Sequence, residues 1–338
     1  PACVPLGPAA RLDRAVARYR LALEERSAPS TLRMTAAAVH ELVWRPLEPH
    51  LGNATDIYLA PDGLLSLVPF AALETSAAGE QRFLVERYVF RLVNSGRDLA
   101  PVAVPAGRGA VVFGSPDFAA PFTAPKSAPA VASKPHPAPP AGRPAPSPVP
   151  NPPPTPPPSA GDLLGLLSGL HFPALPAALP EVREVAACLT AAKISTLALT
   201  GAEATEERAK ALQAPAVVHF ATHGFFLPDP PPALGEGAAP PERGEPMHRS
   251  GLALAHAELV LAGKTPPTGR EDGLLTAGEV CGLDLQGTAL VVLSACDTGV
   301  GEVQAGEGVM GLRWAFAAAG AQALVMSLWA VPDEATRA

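Results

Sequence analysis

The sequence predicts an α/β fold in which a mostly parallel sheet carries helices on both faces. Three observations predict it. Short apolar runs recur: "GAVVFGSPDF" (109–118), "STLALTG" (195–201), "AVVHFATHG" (216–224), "TALVVLSAC" (288–296) and "AQALVMSLW" (321–329). Each has the length of a buried strand. Amphipathic segments stand between them: "LPEVREVAACLTAA" (179–192), "TEERAKALQ" (205–213) and "GVMGLRWAFAAAG" (308–320). Alternation of the two kinds is the pattern of parallel strands joined by helical crossovers.

Along the chain, residues 9–26 place Leu12, Val16, Tyr19 and Leu23 at helical spacing with charges between. A second helix is expected over 31–46, with Leu32, Val39, Leu42 and Val43 on one side. Such helices suit the end of an upstream helical array, although one helix cannot display a repeat. "DIYLAPDGLLSLVPFAAL" (56–73) reads as strand, turn, strand about Asp62-Gly63. "FLVERYVFRLVNS" (83–95) alternates like a strand.

Residues 121–160 hold 17 of the chain's 42 prolines. Proline removes amide donors and fixes φ, so this segment is expected to be an extended, solvated insertion. After it, Thr205 is an N-cap with glutamates in the first turn. Residues 227–248, rich in Pro, Gly and Ala, read as a second loop insertion. "SGLALAHAELVLAG" (250–263) fits a strand or a hairpin, and "LTAGEVCGLD" (275–284) a short helix. The expected units are 1–50, 51–118, an insertion over 119–162, and 163–338.

Composition narrows the function. A formal net charge of −7 and the lack of any Lys/Arg run argue against direct nucleic-acid binding. No stretch reaches the roughly 18 apolar residues a membrane span needs. The first residues show no basic segment followed by an apolar one, although a start at Pro1 reads as a fragment. Cys3, Cys188, Cys281 and Cys296 are too scattered for a disulfide framework or a CxxC metal site, so a reducing cytoplasm is expected.

The chemistry concentrates at two strand ends. In open parallel sheets, reactive side chains gather beyond the carboxyl ends of strands. His223 closes "AVVHFATHG" and Cys296 closes "TALVVLSAC". Adjacent strands lie about 4.8 Å apart, so two such side chains can face one cleft. A thiol with a pKa of about 8.5 needs a base to attack a carbonyl, and an imidazole can take its proton and return one to the leaving amine. Gly224 leaves backbone uncovered beside the histidine, and the amides of Gly224 and Cys296 can serve a developing oxyanion. The alternative is a strand-end cysteine that is simply a small buried hydrophobe. His219, inside VVHFA, is given a structural role. His219 and His223 on one strand would stand about 13 Å apart, too far to ligate one metal ion. No metal and no cofactor are expected.

"HFATHGFF" and "LVVLSACDTGVGEVQAGEGVMGLRWAFAAAGAQALVMSLWAVPDEAT" resemble the two hallmark blocks of the CHAT family. These are caspase-like cysteine peptidase domains, often attached to tetratricopeptide repeats and similar to caspases, separase and legumain in their core sheet. "YLAPDGLLSLVPFAAL", "LVERYVFRLVNSGRDL", "LPEVREVAACL" and "LTGAEATEERAKAL" resemble its upstream segments, in order, from about residue 10 onward.

The resemblance implies a caspase-like sheet with His223 as general base and acid and Cys296 as the nucleophile that forms a thioester. The amides of Gly224 and Cys296 would form the oxyanion hole. It also suggests substrate-pocket contacts for Asp297 and Asp333, which together would favour a basic side chain. Against these stand a turn or capping role for Asp297 and helix N-capping for Asp333. The family pattern continues for another strand beyond Ala338, so the chain is expected to lack its C-terminal strand, as a truncated fragment or a degenerate copy.

The expected function is thus a cysteine endopeptidase acting on a protein substrate, controlled by upstream helical repeats or a regulatory partner. The alternative is a non-catalytic scaffold or signalling module of the same fold. A Cys/His acyltransferase uses the same dyad and is disfavoured by the resemblance.

Overall fold

The computed structural model describes residues 2–77, 80–93, 99, 105–122, 170–226, 246–295, 307–328 and 331. Helical periodicity near the N-terminus gives α1 (Ala9–Glu24), which buries Leu12, Val16 and Tyr19. Helix α2 (Pro29–Val39) opens with proline in its first turn, where the missing amide costs nothing. A π turn over His40–Trp44 continues it, and a short helix α3 spans Glu48–Leu51. Beside them β1 (Asp56–Leu59) runs parallel to β4 (Val89–Leu92), and β2 (Glu74–Ala77) pairs antiparallel with β3 (Glu80–Phe83). Trp44 is fully buried at the centre of this part, its ring centroid 5.2 Å from those of both Tyr88 and Phe90.

Two expected strands are shorter here. Of 56–73 only the first four residues form a strand; Gly63–Leu67 and Phe70–Ala72 are 3₁₀ turns. Local hydrogen bonds outcompete a ladder: Asp62 Oδ1 accepts from Gly63 N at 2.8 Å and Ser66 Oγ donates to Gly63 O at 2.7 Å. In 83–95, Glu86 Oε1 accepts from Phe83 N at 2.8 Å and caps a 3₁₀ turn over Leu84–Glu86, so the strand begins only at Val89.

The remaining apolar runs build the central sheet: β5 (Ala110–Pro116), β6 (Thr196–Gly201), β7 (Val217–Ala221), and two later strands, β11 (Leu290–Ser294) and β12 (Leu324–Met326). Their order is β12-β11-β7-β5-β6, and every neighbouring pair is parallel. Chain order reverses direction across the sheet between β5 and β7. Such a reversal opens a crevice at the carboxyl ends.

Alternation sorts the side chains into two faces. Val111, Phe113, Val218, Phe220, Val291 and Leu293 join Leu312, Ala315 and Phe316 of a helix over Glu307–Ala318 in the largest core. The rings of Phe113 and Phe220 stack at 4.8 Å. On the other face Val112 and Ala221 pack against Ala178 and Val182 of helix α4 (Ala178–Ala191). Helices therefore cover both faces of a mostly parallel sheet, consistent with a caspase-like fold.

A second, antiparallel sheet stands at the carboxyl end of β7. Its strands β8 (Gly224–Phe226), β9 (Ser250–Ala253) and β10 (Leu274–Thr276) are ordered β10-β9-β8. The stretch 250–263 thus becomes one strand followed by a five-residue helix, Ala257–Leu261. His256 makes the corner in the left-handed region at φ 81°. Likewise 275–284 is the end of β10 plus a helix over Ala277–Val280. Thr276 caps that helix, its Oγ1 accepting from Glu279 N at 3.3 Å while Glu279 Oε2 accepts from Thr276 N at 2.9 Å. The expected insertions fall mostly outside the described residues, over 123–169 and 227–245. Among the described residues, no helix is long and apolar enough to cross a membrane.

Candidate functional site

Buried β7 delivers His223 to the carboxyl edge of the sheet. Ala221 pairs with Gly114 of β5 on one side and Ser294 of β11 on the other. Thr222 N donates to Ser294 O at 3.1 Å, so the two chains stay together past the last ladder pair. His223 follows, 2% exposed. Its Nε2 lies 2.7 Å from the carbonyl oxygen of Pro173. A carbonyl only accepts, so Nε2 carries the hydrogen, and in the neutral ring Nδ1 is left with the lone pair. The ring is held between Phe118 and Phe172, with centroids 5.4 and 5.7 Å away. Imidazole tautomer and plane are thereby both set.

Gly224 meets the chain leading to Cys296. A side chain on Gly224 would place its Cβ 2.7 Å from Ala295 O, so only glycine fits this backbone-to-backbone approach. Ala253 N donates to His223 O at 2.9 Å. That makes 223/253 a hydrogen-bonded pair and Gly224/Leu252 the alternate kind, which turns the Gly224 amide away from β9. Cys296, Asp297 and Asp333 lie outside the described residues. The structure therefore brings His223 and Gly224 to the edge beside Ser294 and Ala295, the residues before Cys296.

His219, four residues earlier and within β7, is already occupied. Its Nε2 is 2.8 Å from Glu181 Oε1, and Ser294 Oγ donates to Glu181 Oε2 at 3.1 Å. The buried His219 and Glu181, with half-buried Ser294, border a cavity of about 700 Å³ lined by Val185, Leu189, Val292 and Met326. His223 is not among its lining residues, so the apolar space and the strand-end imidazole are separate features.

A charged cluster is drawn from the residues flanking β10 and from the helix that Thr205 caps. Lys210 Nζ stands 2.8 Å from Glu206, 2.9 Å from Glu271 and 2.9 Å from Glu279. Oxygens of these three carboxylates gather within 4.8 Å of one another, the spacing of a cation site. The ammonium already sits among them as the cation.

Sequence reasoning missed the Pro173 carbonyl, Phe118 and Phe172. Phe118 had a signal, since it follows the carboxyl end of β5 at the topological reversal. Pro173 had none, because a backbone carbonyl has no residue type.

Residues 33–338 match the family model described as the CHAT domain. No curated protein matches the chain.

Proposed function

Since the chain belongs to the CHAT domain family, a caspase-like, peptidase-related family, we propose that it is a cysteine endopeptidase using Cys296 and His223. The observation that carries this reading is the setting of His223. It is a buried imidazole at the carboxyl edge, tied through Nε2 to the Pro173 carbonyl, with Nδ1 left as the base. Ala295, whose carbonyl approaches position 224 so closely that only glycine fits, directly precedes Cys296.

In this mechanism Nδ1 takes the thiol proton and Cys296 Sγ attacks the scissile carbonyl. The negative charge that forms on the carbonyl oxygen is held by the amides of Gly224 and Cys296. The C–N bond then breaks, the amine leaves with the proton from the imidazolium, and a thioester remains. Water, deprotonated by the same imidazole, hydrolyses it and restores the thiol. The Pro173 carbonyl steadies the imidazolium that exists between the two proton transfers, without itself taking a proton.

Asp297 and Asp333 supply the carboxylates that favour a basic residue before the cut bond. The substrate is a protein, the compartment a reducing cytoplasm, and control comes from upstream helical repeats or a regulatory protein.

The test is cleavage of a peptide library, followed by labelling with an arginine-bearing thiol-reactive probe. Cys296→Ala abolishes cleavage while leaving the fold intact, and the probe labels only Cys296. Cys188 is exposed and serves as an internal control, and burial pushes the Cys281 thiol up. Cleavage that survives Cys296→Ala refutes the reading. Equal labelling of Cys188 and Cys281 favours the non-catalytic module.

A further inference from the structure

The two segments that hold His223 converge on one side chain of the helix after His256. Phe118 belongs to the segment leaving β5, and Phe172-Pro173 to the segment entering α4. They are remote in sequence, and their rings lie 5.9 Å apart. Glu258, in the first turn of Ala257–Leu261, bonds to both. Its amide donates to Phe118 O at 2.9 Å. Its Oε1 accepts from Phe172 N and lies 3.0 Å from His171 Nδ1. The carboxylate thus grips the backbone one residue before the carbonyl that orients His223.

The neighbours make this a fixed support. His256 N donates to Asp117 O at 3.3 Å, and His256 Nδ1 donates to Ala120 O at 2.8 Å. Arg270 Nη2 donates to His256 Nε2 at 3.2 Å, which fixes that ring as neutral with its hydrogen on Nδ1. Around the same helix, Ala253, Ala257 and Leu274 pack with Phe118, Phe172 and Phe225 in one apolar cluster. Among the described residues no hydrogen bond or ion pair joins Glu258 directly to His223. Through Phe172 N it sets where the Pro173 carbonyl points, and through Phe118 O it sets one flank of the imidazole.

We infer that Glu258 is a positioning residue for His223, holding the Pro173 carbonyl in line with Nε2 so that Nδ1 stays the proton-accepting atom. The inference rests on the peptidase reading for its kinetic consequence, but its structural consequence is independent of that reading. Losing the carboxylate frees Phe172 N, lets the Pro173 carbonyl swing, and allows the imidazole hydrogen to move to Nδ1. A ring in that tautomer has no lone pair at Nδ1 to accept the thiol proton.

The experiment uses the full chain with Glu258→Met, which keeps bulk but removes the acceptor, and Glu258→Gln, whose amide oxygen still accepts from Phe172 N. Two readouts are taken. One is kcat and KM on a fluorogenic peptide with arginine before the scissile bond. The other is the ¹⁵N spectrum of the His223 ring, recorded in a Cys296→Ala background, which reports the tautomer without turnover.

Glu258→Met is expected to lower kcat about tenfold at unchanged KM, a part of the 10²–10⁴ that positioned proton transfer contributes. It is also expected to lose the Nε2–H signature. Glu258→Gln should stay within about twofold of wild type and keep that signature. A wild-type ring spectrum in Glu258→Met overturns the inference, as does a raised KM at unchanged kcat. If the wild-type chain shows no Cys296-dependent cleavage, the peptidase reading fails and the ring spectra alone decide the role of Glu258.

Discussion

Glu206→Gln should flatten the dependence of stability on pH. Glu206 is 1% exposed, and its Oε2 accepts from Gly273 N at 2.8 Å. Burial first, then Glu279 and Asp272, push its carboxyl up to about 9, with Lys210 pulling the other way. Burial likewise raises Asp272. In Glu279 burial also pushes upward, but hydrogen bonds from Lys210 and Thr276 outweigh it and hold the group below its ordinary value. Lys210 is raised by Glu206, Glu279 and Glu271 against its own burial.

The two directions compete, since a protonated Glu206 gives Lys210 less to pair with. Glu271 and Glu279 already balance the ammonium, so Glu206 is the group that keeps its proton.

The sign follows from proton counts. Between an unfolded value near 4.5 and a folded value of about 9, the folded chain holds one proton more than the unfolded chain. The contribution is complete below the unfolded value and is lost as pH rises through this window, at about 1.4 kcal/mol per pH unit. From pH 6 to pH 8 this group alone removes about 2.7 kcal/mol. Glutamine keeps an acceptor for Gly273 N and has no proton to lose. Urea denaturation of both proteins at pH 6, 7 and 8 measures the difference. Two stability lines that run parallel across this range would refute the assignment of the proton to Glu206.

Two more expectations follow from close contacts. Lys210→Met leaves the charged Glu271 and Glu279, both more than a third exposed, without their cation and should cost about 1 kcal/mol at pH 8, and less at pH 5. Equal losses at both pH values, read by chemical denaturation, would contradict the cluster's charge balance. Gly224→Ala drives a methyl carbon into Ala295 O, which is backbone and cannot rotate away. A loss of about 1–3 kcal/mol is expected, with cleavage reduced further than stability. A variant with wild-type melting and wild-type turnover would show that the approach at position 224 can relax.

What could be read from sequence was what depends on near neighbours. Strand and helix periods are local, so β5, β6, β7, β11, β12 and the helices between them were predictable, as was the edge to which β7 carries His223. Where short-range polar bonds override periodicity, the reading failed: Asp62, Ser66 and Glu86 turn expected strand into 3₁₀ structure. The β8-β9-β10 sheet was legible only in part. A strand was among the readings of 250–263 and β9 fills its start, while β8 and β10 are three residues each and merge with flanking segments that show no period of their own.

The sequence by itself determined that a parallel sheet forms and that His223 stands at its edge. Only the tertiary structure decided which atom of His223 bears the hydrogen, since the Pro173 carbonyl comes from a segment 50 residues away. Only it decided that Glu206 keeps a proton, because its burial, and then the nearness of Glu279 of the helix over Ala277–Val280 and of Asp272, are brought about by residues distant in sequence. Burial and orientation are set by what else occupies the same volume, and a linear pattern of residue types does not encode that occupancy.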